Sequence, residues 1–540
     1  MAEQDKQDDQ DKLLEELEEV YETDYELGQD NITWLGLDLH NPVFVVSAVL
    51  ILLFFALALM FPEQANNNLG ALRGWLGETF DFVFISAGHL FVLFCLTLIF
   101  LPVGSIRLGG EDATPDFSLL SWLAMLFAAG MGIGLMFWAV AEPVGYFTEW
   151  FGTPLNIEGG TEESRRAALG ATMYHWGIHP WAIYGVVALS LAFFSYNKGL
   201  PLTIRSCFYP LLGDRVWGWP GDVIDTLAVV ATLFGLATSL GLGAQQAAGG
   251  IDFLFGIPSG LLSQVVIITG VTLIALISVL RGIEGGVKVL SNINMIMAFT
   301  LMLFVIFAAG LMNFFGNFVT TVSAYVQYAL PLSNPVGRED QTFFHEWTIF
   351  FWSWWIAWSP FVGMFIARVS YGRTIREFLT AVLIVPVAVS VVWMSTFGGT
   401  GVDQARDGVG ALADGISDSS LALFQMLQEL PFSQITSLLA VVLVLVFFIT
   451  SSDSGSLVID SITSGGKTDA PTAQRVFWVL AEGAMAAILL AVGGAAALNA
   501  LQAGAVSTGL PFAFVLVLMC VSLSKGLHHE HRLLKLQGKQ

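Results

Sequence analysis

The chain has 540 residues, of which 55% are hydrophobic and only 12% are charged, and its formal net charge is −22 at pH 7. A soluble protein of this length has about a quarter charged residues and divides into several domains, so the composition excludes that class. Long apolar runs recur instead, which predicts an all-α polytopic membrane protein. Cysteine is too sparse for a disulfide framework or a metal site, with Cys95, Cys207 and Cys520 widely separated.

The N-terminal residues 1–41 form a strongly acidic segment with few apolar side chains. This composition predicts a disordered, solvating tail in the cytoplasm, and a regulatory or salt-adapted role is the alternative. Because the tail precedes the first apolar run, we do not expect that run to be a cleaved signal peptide.

Twelve apolar runs follow and predict a transporter-sized membrane domain over 42–524, with a short C-terminal tail over 525–540. The predicted spans are 42–62, 82–102, 117–138, 172–195, 222–249, 259–280, 291–314, 345–367, 377–397, 434–452, 473–494 and 503–524. Of the 22 Lys and Arg residues, five lie in odd-numbered loops, at Arg73, Arg165, Arg166, Arg338 and Arg406. The remainder lie in the tails and even-numbered loops, so the positive-inside rule places both termini in the cytoplasm.

The third span contains a glycine stretch that predicts a broken helix. Its sequence "GMGIG" places Gly130, Gly132 and Gly134 at alternate positions, and Pro143 follows. Each glycine costs up to about 1 kcal/mol of helix propensity relative to alanine. Unwound backbone is tolerated in a bilayer only where it faces a cavity or a ligand. The alternative is close helix packing through small residues.

The eighth span, "FFWSWWIAWSPF", is interrupted by Pro360, so we expect a second break there. The third and eighth spans then begin two five-span blocks, over about 117–314 and 345–524. An odd number of spans per block inverts the second copy relative to the first. Inverted repeats with paired broken helices are typical of secondary transporters.

Two of the predicted spans carry clustered aromatic side chains. The eighth has Trp354, Trp355 and Trp358, and the fourth, "MYHWGIHPWAIYG", has Trp176, Trp181 and Tyr184. Facing rings of this kind bind quaternary ammonium or sulfonium ions through their electron-rich faces. The alternative is an aromatic belt at the membrane interface.

The chemistry around this aromatic group favours a zwitterion over a bare cation. The eighth span has no acidic residue, and the nearest carboxylates are Glu142 and Asp453. A substrate with its own carboxylate needs no counter-ion from the protein. Backbone N–H groups in the unwound glycine stretch could bind that carboxylate, as helix N-termini bind anions.

A sodium site is predicted where the tenth span reads "VFFITSSDSGS". Hydroxyl groups of Thr450 and Ser451, with carbonyl groups freed near Ala128 and Met131, would supply the oxygen ligands that hard cations prefer. The alternative is that the hydroxyls bond only to their own helix. Thr232, Thr238 and Ser239 in the fifth span are weaker candidates for a second ion.

Several of these strings together resemble the betaine/choline/carnitine transporter family over about 40–525. They are "GMGIG", "HWGIHPWAIY", "GGVKVLSNINM", "WSWWIAWSPFVGMFIARVSYGRTIREF" and "TSSDSGS". The resemblance implies a leucine-transporter-like core of inverted repeats over spans 3–7 and 8–12, two preceding helices, and a homotrimer in the plasma (inner) membrane. Its expected partners are the lipid bilayer and a small zwitterion, with sodium as coupling ion, no cofactor and no nucleic acid.

The resemblance also assigns roles to particular positions. It makes the six aromatic residues above the substrate box, joins Gly130, Met131, Gly132 and Gly134 to it, and adds Phe447 to the sodium set of Ala128, Met131, Thr450 and Ser451. Phe361 would lie on the exit path or near a second sodium with Thr232 and Thr238. Gly134 stands where choline-selective members often have Asp, which favours a carboxylated substrate.

Two departures from the family pattern concern regulation and sodium stoichiometry. The C-terminal tail is short and lacks the long basic helix of osmosensing members, so the resemblance leaves osmotic regulation open. Leu236 stands where the family has a hydroxyl at the second sodium site. The absence of an intramembrane Lys or Arg favours sodium coupling over sodium-independent exchange.

We therefore expect a sodium-coupled importer of a betaine-like osmolyte, with glycine betaine first, ahead of dimethylsulfoniopropionate, carnitine and choline. A sodium-independent exchanger of the same family is the nearest alternative. A channel is a second alternative. A metalloenzyme using His175 and His179 is a third, but "HWGIH" lacks the Glu that zinc hydrolysis uses after the first His.

Overall fold

The computed structural model describes residues 17, 19–40, 42–130, 132–281, 284–467 and 469–538. Within these ranges, eleven helices are long and apolar enough to cross a membrane. The twelfth predicted span, the third in order, is present as two shorter helices. This architecture confirms the predicted all-α polytopic class.

The helices are labelled in chain order, and the bounds follow. They are α1 Val43–Met60, α2 Pro62–Phe100, α3 Leu119–Gly130, α4 Ile133–Phe147, α5 Glu162–Trp176, α6 Ile178–Ala192, α7 Tyr209–Leu212, α8 Trp219–Phe255, α9 Leu261–Arg281, α10 Glu284–Ala309, α11 Leu311–Ser333, α12 Ile349–Arg368, α13 Ile375–Trp393, α14 Gly399–Arg406, α15 Ala422–Gln428, α16 Ser433–Thr463, α17 Thr472–Gly493 and α18 Ala497–Leu536.

The third span is broken at the predicted glycine stretch. Helix α3 ends at Gly130, and α4 begins at Ile133 after the extended residue Gly132, with φ −171° and ψ −176°. Met131, between the two helices, lies outside the described residues. The peptide groups at this junction are therefore released from helical hydrogen bonding, as the sequence predicts.

The predicted break in the eighth span is wrong, because α12 continues through Pro360. Proline removes the N–H that would bond to the carbonyl of Ile356. The hydroxyl of Ser359 donates a hydrogen bond of 2.7 Å to that carbonyl instead. This local replacement keeps the freed acceptor satisfied and the helix intact. The inverted repeat, argued from paired breaks, therefore stays a prediction that rests on the resemblance.

A break that the sequence analysis missed divides the fourth span between α5 and α6. The junction is Gly177, with φ −94° and ψ −134°. A Cβ at this position would lie 2.4 Å from the hydroxyl oxygen of Tyr325, so only glycine fits. That hydroxyl accepts a 2.9 Å hydrogen bond from the N–H of Ile178. Pro180 adds to the break, because it has no N–H for the carbonyl of Trp176.

Tertiary packing brings the aromatic spans to the centre of the bundle. Helix α12 packs against α6, α8 and α18, and α16 packs against α8. Helix α11, which the sequence analysis did not predict, joins the two halves and packs on α5. A stripe of exposed apolar side chains runs along it, at Met312, Phe315, Val319, Val322, Val326 and Leu330.

The N-terminal segment over 19–40 is folded rather than disordered, contrary to the prediction, and most of the predicted tail before it, residues 1–16 and 18, lies outside the described residues. Strands β1 Asn31–Trp34 and β2 Leu37–His40 form an antiparallel hairpin. The Asn31 side chain donates to the carbonyl of Ser464 at 2.9 Å, and Lys467 pairs with Asp38 at 2.5 Å. Polar contacts with the loop after α16 therefore order a segment whose composition alone suggests solvation.

The C-terminal tail also differs from the expected boundary at residue 525. Helix α18 continues to Leu536, and Gly526, Leu527, Glu530 and Leu534 are buried on it. Glu530 forms an ion pair with Lys198, in the segment after α6. The tail is thus a docked extension of the last helix.

Candidate functional site

The six aromatic residues singled out in the sequence line a single cavity. Helix α5 supplies the first, α6 the next two and α12 the last three. They are Trp176, Trp181, Tyr184, Trp354, Trp355 and Trp358. The cavity contains about 530 Å³ of atom-free space, counting its mouth, which is in the range of small-molecule sites. This convergence in the bundle interior argues against an aromatic belt at the membrane interface.

Five of the six rings contact one another closely enough to form a continuous aromatic wall, and the ring of Trp358 contacts Phe361. The ring centroids of Trp176 and Trp355 are 4.8 Å apart and nearly perpendicular, at 74°. Trp354 stacks on Trp355 at 4.9 Å with an interplanar angle of 16°. Trp181 and Tyr184 meet edge to face at 5.4 Å. Ring faces and edges in this arrangement offer several negative surfaces to a cation in the cavity.

A buried polar network behind the wall fixes the position of two indoles. The carboxylate of Glu142, on α4, accepts a 2.7 Å hydrogen bond from the indole N–H of Trp176. Its other oxygen lies 2.6 Å from Nδ1 of His175, whose Nε2 lies 3.0 Å from the hydroxyl of Thr348. The indole N–H of Trp355 donates to the carbonyl of His175 at 2.9 Å. Glu142 is a positioning residue that the sequence analysis noted only as a nearby charge.

The broken third span meets the aromatic wall at its glycines. Gly132 and Gly134 both line the cavity. A Cβ on Gly134 would lie 2.8 Å from Cη2 of Trp176 and 2.9 Å from Cη2 of Trp354. Only a residue without a side chain therefore allows the two rings to approach this backbone. The N-terminus of α4, where the first backbone N–H groups have no partner within the helix, lies beside the aromatic cavity.

A second cavity lies next to the first and includes most of the residues predicted to bind sodium. It is lined by Ala128, Phe447, Thr450, Ser451 and Phe361 among others. Met131 of the same predicted set is outside the described residues. Trp358 and Val362 line both cavities, so these two side chains lie between the aromatic cavity and the second one, which is called the polar cavity below for its hydroxyl and amide groups.

Two polar side chains in this second cavity, those of Thr450 and Asn294, differ in their hydrogen bonding. Thr450 donates within its own helix, to the carbonyls of Val446 at 3.0 Å and Phe447 at 3.1 Å. A hydroxyl group that donates in this way still has oxygen lone pairs with which to bind a cation. These hydrogen bonds therefore agree both with a sodium ligand and with a hydroxyl that bonds only to its own helix. Asn294, which the sequence analysis missed, also lines this cavity, and its buried Oδ1 has no hydrogen-bond partner among the described residues.

The residues predicted to bind a second sodium do not share one cavity. Phe361 lines the polar cavity with Thr450, whereas Thr232 and Thr238 line neither of the two cavities described here. Thr238 donates to the carbonyls of Phe234 and Leu501. The buried hydroxyl of Thr232 has no partner in the described part of the chain. Ser239, from the same helix, lines the aromatic cavity.

The histidine pair considered for a metal site is packed in the core of the bundle instead. His175 bonds to Glu142 and Thr348, and the ring of His179 stacks on Trp352 with centroids 5.0 Å apart. Over the described ranges, the structure contains no group of three or more His, Cys, Asp or Glu side chains arranged to hold a metal ion.

Sequence comparisons point to one family of membrane transporters. The profile of the betaine/carnitine/choline family transporters matches residues 42–532. The chain is 63% identical over 515 residues to "Glycine betaine transporter 1" of Vibrio parahaemolyticus, covering 94% of this chain and 98% of that protein. It is 58% identical over 510 residues to a "Glycine betaine/proline/choline/ectoine transporter" of the same species, covering 94% and 91%. It is 43% identical over 477 residues to "Glycine betaine transporter OpuD" of Bacillus subtilis, covering 88% and 92%.

Proposed function

Because this chain belongs to the betaine/carnitine/choline transporter family, we propose that it imports glycine betaine or a closely related zwitterion in symport with sodium, by alternating access. The family assignment confirms the resemblance seen in the sequence and excludes the metalloenzyme alternative. The single observation that carries the substrate proposal is the aromatic cavity formed by α5, α6 and α12 beside the broken third span.

The cavity suits both ends of a betaine. A quaternary ammonium group has no N–H to satisfy, so aromatic faces can replace its hydration shell. Each desolvated ring contact contributes about 0.5–2 kcal/mol, and three or four contacts give reversible binding. The backbone N–H groups at the start of α4 lie at the same cavity and would donate hydrogen bonds to the carboxylate. Proline, choline and ectoine, named for one relative, belong in the substrate panel.

Sodium is proposed as the co-transported ion and would bind in the polar cavity. The hydroxyls of Thr450 and Ser451 line it together with Ala128 and Asn294. These groups are neutral oxygen donors, which suits a monovalent hard cation that must bind reversibly. Because Trp358 lines both cavities, substrate contact with this indole provides a physical link to the sodium ligands.

The remaining parts of the proposal concern location and assembly. The protein is a multi-pass membrane protein, and we place it in the plasma (inner) membrane with both termini in the cytoplasm, following the Lys and Arg distribution. We also propose a homotrimer. The exposed apolar stripe along α11 is a surface that a neighbouring subunit could cover.

Uptake by the purified protein in proteoliposomes tests the function directly. Labelled betaine, dimethylsulfoniopropionate, carnitine, choline, proline and ectoine are each supplied with and without an inward sodium gradient. We expect saturable betaine uptake that needs sodium. Equal uptake without sodium into vesicles preloaded with substrate would instead support the exchanger.

A substitution in the box tests the proposed substrate contacts. Trp355→Leu removes a ring that contacts three others of the wall and should abolish betaine uptake. The matched control is Trp219→Leu, because this indole is 76% exposed at the start of α8. Normal transport by the Trp355 variant would refute the role of the box.

A further inference from the structure

A second polar centre lies inside the membrane domain, between α16 and α17. Its main residue is Glu482, near the middle of α17, whose side chain is fully buried. One carboxyl oxygen, Oε2, accepts a 3.1 Å hydrogen bond from the hydroxyl of Ser452 on α16. The other, Oε1, is buried and has no hydrogen-bond partner in the described part of the protein. An ionisable side chain at this depth is rare and marks a functional site by default.

The packing around Glu482 is tight. A Cβ on Gly455 would lie 3.3 Å from Oε1, and a Cβ on Gly483 would lie 2.4 Å from the hydroxyl oxygen of Thr272. An ionised carboxylate with one unpaired oxygen would be strongly destabilising in such a closed, low-dielectric position. The neutral acid avoids that cost.

The charges that act on Glu482 do not provide it with a cationic partner. They are those of Asp453 on α16 and Arg475 on α17, which have opposite signs. Arg475 donates to the carboxylate and the carbonyl of Asp453, each at 3.1 Å. Over the described residues, α1, α2, α8, α9, α18 and strand β2 also pack on α17. Strand β2 carries Asp38 and His40, but in the described part of the chain only Asp453 and Arg475 act electrostatically on this carboxyl.

A column of buried polar groups connects Glu482 with the loop between α16 and α17. Asp453 and Asp460 are seven residues apart on α16, as are Arg475 and Glu482 on α17, so each pair lies on one helix face about two turns apart. Asp460, Gln474 and Arg475 each have at least one buried polar atom without a partner among the described residues. Water satisfies such atoms in proteins and can carry a proton along them.

The same helix connects this centre with the proposed sodium cavity. Ser451 lines that cavity, and the next residue, Ser452, bonds to Glu482. Adjacent residues on an α-helix project about 100° apart, so α16 presents one serine to each site. A movement of α16 relative to α17 would change both sites together.

We propose that Glu482 binds a proton in the arrangement described here and releases it into the polar column when α16 and α17 separate during transport. The proton adds to a carboxylate oxygen to form the neutral acid, and release returns the carboxylate and a proton to water. One carboxyl and one hydroxyl group are too few oxygen ligands for a metal ion, which favours a proton as the ligand. This inference adds a proton-linked step to the proposed sodium-coupled cycle.

Proton exchange by the purified protein tests the proposal. Glycine betaine is added to lightly buffered protein in sodium-containing solution, and a pH-sensitive dye reports protons bound or released between pH 5.5 and 8.5. We expect exchange approaching one proton per protein, and a betaine Kd that changes by up to tenfold per pH unit. Wild-type protein that exchanges no protons and has a pH-independent Kd would overturn the proposal.

Variants assign the signal to this carboxyl. Glu482→Gln should bind betaine, followed by tryptophan fluorescence, without exchanging protons. Asp407→Asn, at an exposed carboxylate, should behave as wild type. A signal that persists in Glu482→Gln would come from another pair, such as Glu142 and His175, and would overturn the assignment. If Glu482→Gln does not fold, Ser452→Ala provides the test, because this variant removes the hydroxyl that bonds to Glu482. A pH profile of betaine binding in Ser452→Ala that equals that of the wild type would also refute the assignment to Glu482.

The two proposals fail in different ways. Absence of sodium-dependent uptake at fixed pH would refute the proposed function whatever the proton measurement shows. Normal sodium-dependent uptake with no proton exchange would refute the proton site alone.

Discussion

A methyl group added at Gly134 should distort the aromatic cavity without removing any ring. The Cβ of Gly134→Ala would lie 2.8 Å from Trp176 and 2.9 Å from Trp354. Carbon atoms in good contact are about 3.5–4.0 Å apart, so each ring must retreat by roughly 0.7 Å. Neither ring is free to do so, because Trp354 is stacked on Trp355 and the indole of Trp176 is bonded to Glu142.

The expected magnitude follows from this crowding. Overpacking of a closed site costs about 1–3 kcal/mol. If that cost falls on the substrate-binding arrangement, the Kd for betaine rises by about 5- to 150-fold. Sodium-dependent uptake in proteoliposomes measures the effect as a raised KM, and tryptophan fluorescence titration measures the Kd directly.

A matched glycine serves as the control. Gly270, on α9, has no atom within 4 Å of the position of an added Cβ. Gly270→Ala should therefore leave the KM unchanged and add slightly to helix stability, by up to about 1 kcal/mol. A wild-type KM in Gly134→Ala, with normal expression, would refute the close approach of glycine and indoles on which the proposed site depends.

Three further predictions concern sodium, the polar network and the N-terminal hairpin. Ser451→Ala removes one proposed oxygen ligand of sodium and should raise the sodium concentration for half-maximal uptake by about tenfold or more, while betaine selectivity stays the same. An unchanged sodium dependence would exclude Ser451 as a ligand. Glu142→Gln replaces one carboxyl oxygen by an NH2 group, so either the indole N–H of Trp176 or the hydroxyl of Tyr146 loses its acceptor. Loss of one such charge-assisted hydrogen bond, about 1.5–3 kcal/mol, should raise the betaine KM at least tenfold. A KM within twofold of the wild-type value would contradict the positioning role. Burial, reinforced by the charge of Arg205, lowers the pKa of His40 in the docked hairpin from 6.5 to about 3. The undocked hairpin therefore binds more protons than the docked one below pH 6.5. Docking of the hairpin should weaken by up to about 1.4 kcal/mol for each pH unit below 6.5. Hydrogen exchange of residues 31–40 at pH 7.5 and 5 measures this, and His40→Gln should remove the pH dependence.

The sequence predicted most of the membrane architecture because hydropathy and length are local properties. The apolar runs correspond to the helices, and the glycine stretch correctly located the junction at Gly132. The break at Gly177 was missed, because it depends on the hydroxyl of Tyr325, which is distant in sequence. The break at Pro360 was predicted but is absent, because Ser359 satisfies the freed carbonyl.

For the candidate site as well, the sequence predicted local features and missed those that depend on tertiary contacts. The density of tryptophan in two spans indicated an aromatic box, and the structure brings all six rings to one cavity. Residues outside those strings gave no comparable signal. Glu142 positions Trp176 by accepting a hydrogen bond from its indole N–H, and Asn294 lines a cavity that is assembled from four helices. Neither role follows from spacing along the chain.

By itself, the sequence determined that the chain is a polytopic membrane protein of this transporter family, where one helix must unwind, and which aromatic residues are available to a cation. Only the tertiary structure decided that the N-terminal hairpin docks, that Trp358 and Val362 lie between the two cavities, and that Glu482 has one hydroxyl partner among the described residues. The physical reason is that hydropathy and backbone propensity act over neighbouring residues, whereas burial, hydrogen bonding and charge pairing depend on residues that the fold brings together.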